Sequence, residues 1–174
     1  YTAEGPDPQR LMNSLIKDVQ CHERIAIYTN TEVVKFSGHV GNFRTVLRGR
    51  GDDGQVREWT VEHGVTIIAT GGQEYKGNVY MLGEDPRVLT QLELEKRLVE
   101  SPDEIRNLKE VVMIQCVRPP GLEIDYCSRT CCTNTMKNAI KIKQLNPDCR
   151  IYVLFKDLIT YGFREQYYTE ARQR

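Results

Sequence analysis

Four cysteines, Cys116, Cys127, Cys131 and Cys132, fall within 17 positions, and the other two, Cys21 and Cys149, lie apart from them. Ten residues separate the first from the second, and three separate the second from the adjacent pair. Such crowding is a poor layout for a spread disulfide framework and a natural one for a metal site. Thiolates are soft donors, so four from one short segment suit either a tetrahedral zinc or an iron–sulfur cluster. The adjacent pair discriminates weakly between the two. Neighbouring side chains on a helix point about 100° apart, which aims Cys131 and Cys132 poorly at one small ion, whereas a cluster presents separate iron corners. The plain alternative is a group of buried or loop thiols without metal, against which the clustering itself weighs. Cys21 and Cys149 read as structural, because a free cysteine packs as a small hydrophobe.

Little else in the chain has the pattern of a reactive site. His22, His39 and His63 follow no ligand spacing, and no nucleophile elbow, Walker-type phosphate loop or acid pair is present. Lys and Arg together number 24 and so do Asp and Glu, so the 174 residues carry no formal net charge and no basic excess that would point to nucleic acid. Hydrophobic residues at 40% and charged residues at 28% are ordinary for a globular protein. The longest apolar stretch, Val65 to Thr70, falls far short of the roughly 20 residues a membrane helix needs. With no export signal in view, free thiols fit a reducing, cytoplasmic setting. The chain opens at Tyr1 without an initiator Met and closes at Arg174 within an expected helix, so it reads as a piece of a larger protein.

The elements that must position the cysteines follow from periodicity. Leu11, Leu15, Ile16 and Val19 recur at helical spacing within Pro8 to Val19, predicting an amphipathic helix. Arg24 to Tyr28 reads as a short strand. Thr31 to Ser37, Asn42 to Arg48 and Val56 to Val61 form three β-rich runs punctuated by glycine turns, an antiparallel meander. Gly64 to Gly72 is a continuous apolar run ending in small residues, as expected of a strand buried on both faces. A polar connection through Pro86 is the expected boundary, dividing the chain into residues 1–86 and 87–174. Beyond it come a helix at Thr90 to Glu100, a strand at Glu110 to Gln115, a helix from Thr130 to Leu145 closed by Asn146-Pro147, a strand at Ile151 to Phe155, and a last helix after Gly162. Alternation of strands and helices predicts a parallel βαβ unit and an α/β class. The cysteine motif then spans a strand end and a helix start, where open α/β sheets place ligands. A helix N-terminus favours thiolates there, and Arg118, Arg129 and Lys137 are candidate sources of further positive charge.

At these residues the chain resembles a known family. Val112-Met113-Ile114-Gln115-Cys116-Val117, then Tyr126-Cys127-Ser128-Arg129-Thr130-Cys131-Cys132, then Tyr161-Gly162-Phe163-Arg164-Glu165, are similar to the A subunit of heterodisulfide reductase and its bacterial relatives. Val40-Gly41-Asn42-Phe43 and Ile68-Ala69-Thr70-Gly71 extend the resemblance from about Thr31 to the C-terminus. It implies a partial thioredoxin-reductase-like flavoprotein with two dinucleotide-binding-type domains. Residues 1–86 would be the C-terminal part of an FAD-binding-like domain with the meander, and residues 87–174 a partial NAD(P)-binding-like βαβ unit. The resemblance further implies that Cys116, Cys127, Cys131 and Cys132 hold a [4Fe–4S] cluster near the flavin, within an oxidoreductase that passes electrons among other subunits of a complex.

In this setting Ala69, Thr70, Gly71 and Gly72 look like the second flavin-contacting turn, although a plain tight turn fits them as well. The part that would carry the main FAD phosphate loop is missing from the sequence, so the fragment alone is expected to retain little FAD and to be inactive. Where flavin-dependent disulfide reductases bind NAD(P) through a Gly-rich turn after a strand, this chain leads into Cys116, so the unit reads as having exchanged a nicotinamide site for a cluster site. The family's usual Gly-Ser-Arg after that cysteine is replaced by Arg118-Pro119-Pro120, and the interval from Leu47 to Val56 has no room for a ferredoxin-like insertion. Tyr161, Tyr167 and Tyr168 form either a packing face or a contact to other parts of the parent, and their exposure would allow a homodimer.

Overall fold

Asp7 accepts a hydrogen bond from the Gln9 backbone N–H at 2.9 Å, and Pro8 supplies a preset φ in the first turn, so the chain enters helix α1 (Pro8–Cys21) where the spacing predicts it. The computed structural model describes residues 7–51, 54–118, 121 and 127–174. Tyr1, Asp52, Asp53, Pro119, Pro120 and Tyr126, all named from the sequence, lie outside these residues. The chain divides at Gly72 and Gln73 into two units. Each has its own sheet, antiparallel in the first and parallel in the second, so the protein is mixed α/β.

In the first unit, α1 leaves its apolar side, Leu11, Leu15, Ile16 and Val19, exposed. The meander follows as expected, with β1 (Thr31–His39), β2 (Asn42–Arg50) and β3 (Val56–His63) paired in that order. Gly38 is fixed by its surroundings: its φ is +105°, and a Cβ would meet the Asn42 carbonyl oxygen at 2.2 Å. Directly opposed residues carry opposite charge, Arg44 with Glu62 at 2.8 Å and Arg48 with Glu58 at 2.7 Å, which reinforces the β2–β3 register. Gly49, Gly51 and Gly54 have the spacing of a nucleotide fingerprint. Gly49 lies within β2 and the other two follow it before β3, an antiparallel strand and not a helix, so they do not make a phosphate loop.

Two expected strands are absent from this unit. Arg24 lies in a turn and Ile25–Tyr28 runs on unpaired. Gly64 to Gly72 also forms no strand, and Val65, Ile67 and Ile68 are 70%, 87% and 82% exposed. A strand buried on both faces needs neighbours for its amide groups and cover for its side chains. Among the described residues this run has no strand partner, its main-chain hydrogen bonds being confined to the Gly64 and Val65 carbonyls, and its side chains have no cover.

The second unit is built on β4 (Glu110–Ile114) and β5 (Arg150–Leu154), which pair in parallel from Glu110 opposite Arg150 to Ile114 opposite Leu154. Between them runs α4 (Thr130–Leu145). Before them come α2 (Gln91–Glu100) and the one-turn helix α3 (Pro102–Arg106), which periodicity does not reveal; after them a 3-10 turn (Gly162–Arg164) leads into α5 (Glu165–Gln173). The core joins Ala139 and Ile142 of α4 to Met113 of β4, Leu98 of α2, Ile105 and Cys149, with Ile142 and Cys149 fully buried. Met136 and Ile140 pack with Tyr167 of α5. A polar seam ties α2 to α4: the Gln91 amide donates to Thr135 Oγ1 at 3.2 Å and accepts from Asn138 Nδ2 at 2.7 Å, with both α4 residues fully buried. Lys137 pairs with Glu95 at 2.7 Å along the same seam. No helix among the described residues is long and apolar enough to cross a membrane.

α2 begins on a capping box, with Thr90 Oγ1 accepting from the Glu93 N–H at 3.2 Å and Glu93 Oε2 accepting from the Thr90 N–H at 2.9 Å. The Thr90 N–H first, and Lys76 second, hold the Glu93 carboxyl below its ordinary pKa. The box's contribution is therefore complete above the ordinary carboxylate value and is lost as pH falls through the lowered one. Thr90→Ala should cost about 1 kcal/mol in urea unfolding. Ile142→Ala, which removes a side chain with no exposure from the centre of the core, should cost about 3 kcal/mol in the same experiment.

Candidate metal centre

β4 and α4 bring the cysteines together from opposite sides of the intervening loop. Cys116 follows β4 by two residues, with its backbone in the left-handed region at φ +59°. That is uncommon for a residue with a Cβ and marks a site where surroundings dictate backbone direction. Cys131 and Cys132 are the second and third residues of α4, and Cys127 lies three residues before the helix. Arg129, the N-cap, is also left-handed at φ +60° and makes no side-chain cap, so no side chain competes for the first-turn N–H groups.

The thiols share partners. Cys116 and Cys132 both donate to the Asp157 carbonyl, at 3.7 and 4.0 Å. Cys132 Sγ accepts from the Ile159 N–H at 3.3 Å, and Cys127 Sγ accepts from the Arg129 N–H at 3.4 Å. Cys132 is buried, Cys116 and Cys131 are half-buried and Cys127 is exposed. Burial pushes the Cys131 thiol up from its ordinary value, and the neighbouring Cys132, Cys127 and Cys116 push it further. The expected lowering by the helix N-terminus is outweighed there by desolvation and like charge.

Positive charge reaches the site from fewer places than the sequence suggests. Lys137 is engaged by Glu95. The Arg129 guanidinium stacks over the Tyr161 ring at 5.0 Å, so the exposed member of the tyrosine group acts on the motif while Tyr167 belongs to the core. Arg118 lines a cleft of about 490 Å³ at the carboxyl ends of β4 and β5, together with Tyr80, Gln115, Cys116, Phe155 and Lys156. A larger cleft of about 800 Å³, beside α2, contains no cysteine.

The donor types suit a soft metal centre: all four are thiols, Cys116 and Cys132 meet at the Asp157 carbonyl, and Cys131 adjoins Cys132 in the first turn of α4. Among the described residues, no three His, Cys, Asp or Glu side chains gather closely enough to hold one metal ion. Cys149 sits in the core, away from the motif, and Cys21 is exposed on α1. Ala69 to Gly72 form an exposed, unpaired segment; Gly71 has φ +68°, and a Cβ on either glycine would meet nothing within 4 Å. Sequence reasoning also missed the Asp157 carbonyl, the Ile159 amide and the Gln115 side chain. The first two are main-chain groups that carry no residue-type signal.

No protein-family model matches the chain. Among curated proteins, it is 34% identical to the iron-sulfur A subunit 1 of CoB–CoM heterodisulfide reductase from Methanopyrus kandleri, across 70% of this chain and 21% of the relative. The corresponding iron-sulfur A subunit from Methanocaldococcus jannaschii is 31% identical over the same shares. So is the A subunit of the H2/formate:CoB–CoM heterodisulfide,ferredoxin reductase from Methanococcus maripaludis, at 31%. The chain thus spans about a fifth of the length of these relatives. With the cysteine motif at the strand end and helix start and similarity of this extent, the chain belongs to the family of heterodisulfide reductase A subunits.

Proposed function

We propose that this chain is the cluster-bearing, electron-transfer segment of a flavoprotein like the A subunit of heterodisulfide reductase, and that Cys116, Cys127, Cys131 and Cys132 hold a [4Fe–4S] cluster. The observation that carries this reading is the meeting of the β4 end and the α4 start at one acceptor, the Asp157 carbonyl, to which Cys116 and Cys132 both donate, in a family two of whose curated members are named iron-sulfur subunits. When bound, such a cluster takes up and releases one electron at a time. The chain's own part is to bring the sulfurs to one place, to direct the Arg129 and Ile159 N–H groups at them, and to bury Cys132 from water.

In the parent, residues 1–86 would belong to the FAD-binding-like domain and residues 87–174 to a partial NAD(P)-binding-like unit with the cluster in place of the nicotinamide. The electrons would pass between FAD and the clusters of other subunits in a cytoplasmic oxidoreductase complex. A zinc module built from the same cysteines is the competing reading. Four thiolates at 2.3 Å from one zinc must close to about 3.8 Å from one another, by tetrahedral geometry, whereas cluster corners accept a looser set.

Analysis of iron, sulfide and zinc in the chain purified without oxygen tests the proposal. About four irons and four sulfides per chain are expected, falling by more than half in Cys131→Ser and unchanged in Cys21→Ser. One zinc without iron would overturn it. Because Ala69 to Gly72 lie exposed and the main FAD phosphate loop is not among these residues, FAD titrated into the chain should show no saturable fluorescence quenching below about 100 μM, a weak-binding limit on the usual affinity scale. Saturation well below that concentration would show that these residues suffice for a flavin site.

A further inference from the structure

Gln115 is only 6% exposed, and its side-chain Nε2 is buried with no hydrogen-bond partner. Trp59 Nε1 is the other such atom among the described residues, and it belongs to the meander. Buried amide donors are almost always satisfied, so an unpaired one needs a physical reason. Methionine would fill a similar volume without leaving an N–H unmet. The Gln115 backbone N–H is committed, donating to the Leu154 carbonyl at 2.8 Å, which continues the β4–β5 ladder and fixes the residue at the sheet's carboxyl end. By alternation along the strand, Gln115 faces the same side as Met113, which packs against Ala139 and Ile142 of α4. It therefore lies on the α4 side of the sheet, adjoining Cys116, and it lines the same cleft as that cysteine.

The sulfurs already have donors on two sides: the Arg129 N–H reaches Cys127, and the Ile159 N–H reaches Cys132. At the Cys116 corner the Gln115 amide is, among the described residues, a buried donor without a partner. We propose that Gln115 is a positioning residue for the sulfur centre, its Nε2–H donating to a sulfur at the Cys116 corner and thereby raising the potential of the bound cluster. The inference rests on the cluster reading above. A hydrogen bond to a cluster sulfur is stronger when the cluster carries the extra electron, so it favours the reduced state.

The test compares wild type with Gln115→Met in the whole chain, prepared without oxygen, by iron and sulfide analysis and an EPR-monitored redox titration. Both proteins should hold the same iron, and the variant's midpoint should move to lower potential. Equal iron with an unchanged midpoint would overturn the role of Gln115 while leaving the cluster intact. Wild type without iron would overturn the cluster reading, and this inference with it. If the variant fails to fold or load, pulsed EPR on reduced wild type labelled with side-chain 15N glutamine decides the matter. A resolved 15N coupling is expected, and its absence would overturn the proposal. Thermal unfolding of the metal-free proteins separates a merely structural role, because loss of an unpaired amide should leave the Gln115→Met Tm unchanged or raised.

Discussion

Everything at the thiol site depends on the burial of α4 against β4 and β5. Ile142, Ala139 and Met136 are spaced to lock the helix over Met113, Val153 and Tyr167, and Cys149 closes the far end beneath Asn146. With the helix so held, its first turn must arrive at the carboxyl ends of the strands. The α4 start is thereby brought toward Cys116, and Cys116 and Cys132 meet at the Asp157 carbonyl. The polar seam adds direction to this packing. Gln91 bridges Thr135 and Asn138 with geometry that an apolar pair would not demand, so it fixes the rotation of α4 as well as its depth. An error of one residue in that rotation would turn the adjacent cysteines about 100° away.

Where local chemistry decides structure, the sequence was informative. Thr90 with Glu93, the Asn146-Pro147 stop and the alternating runs of the meander each act over a few residues, and the elements stand where those signals put them. The failures have a common cause. Arg24 to Tyr28 and Gly64 to Gly72 are rich in β-formers, yet a strand is a property of pairs. The described residues supply no partner to either run. At the site, residue type and spacing identified the four thiols, and the βαβ order placed them at a strand end and a helix start. Neither could show that the segment after β5 folds back to offer Asp157 O and Ile159 N. Nor could they show that Tyr161 would catch the Arg129 guanidinium. Those are main-chain and long-range relations, set by tertiary packing instead of composition.

The two faces of the parallel sheet are treated unequally. Val111, Met113, Ile151 and Val153 turn inward to the helices, while Val112, Ile114, Tyr152 and Leu154 alternate outward and remain substantially exposed. Parallel sheets ordinarily bury both faces, and the outward set has the composition of a buried one. At the carboxyl ends of the two strands, outward Ile114 and Leu154 and inward Gln115 line one cleft with Cys116.

Electrostatics then sets a requirement for the thiol set as a whole. Bringing four ionised sulfurs together in a half-buried site is unfavourable, and the raised Cys131 thiol registers that cost directly. The free N–H groups at the start of α4, the Arg129 and Ile159 amides and the Arg129 side chain each offset a part of it. These are partial charges and one solvent-facing cation, against as many as four full negative charges. Burial and like charge push the Cys131 thiol toward its protonated form, and the Cys116 and Cys132 thiols donate to the Asp157 carbonyl. A metal centre held by these sulfurs would offset these terms together, since it would supply the positive charge that anionic sulfur needs, and the Arg129 and Ile159 N–H groups would then face anionic sulfur, where hydrogen bonds are strongest. The arrangement that is strained as a set of thiolates is the one that suits a soft, positively charged core.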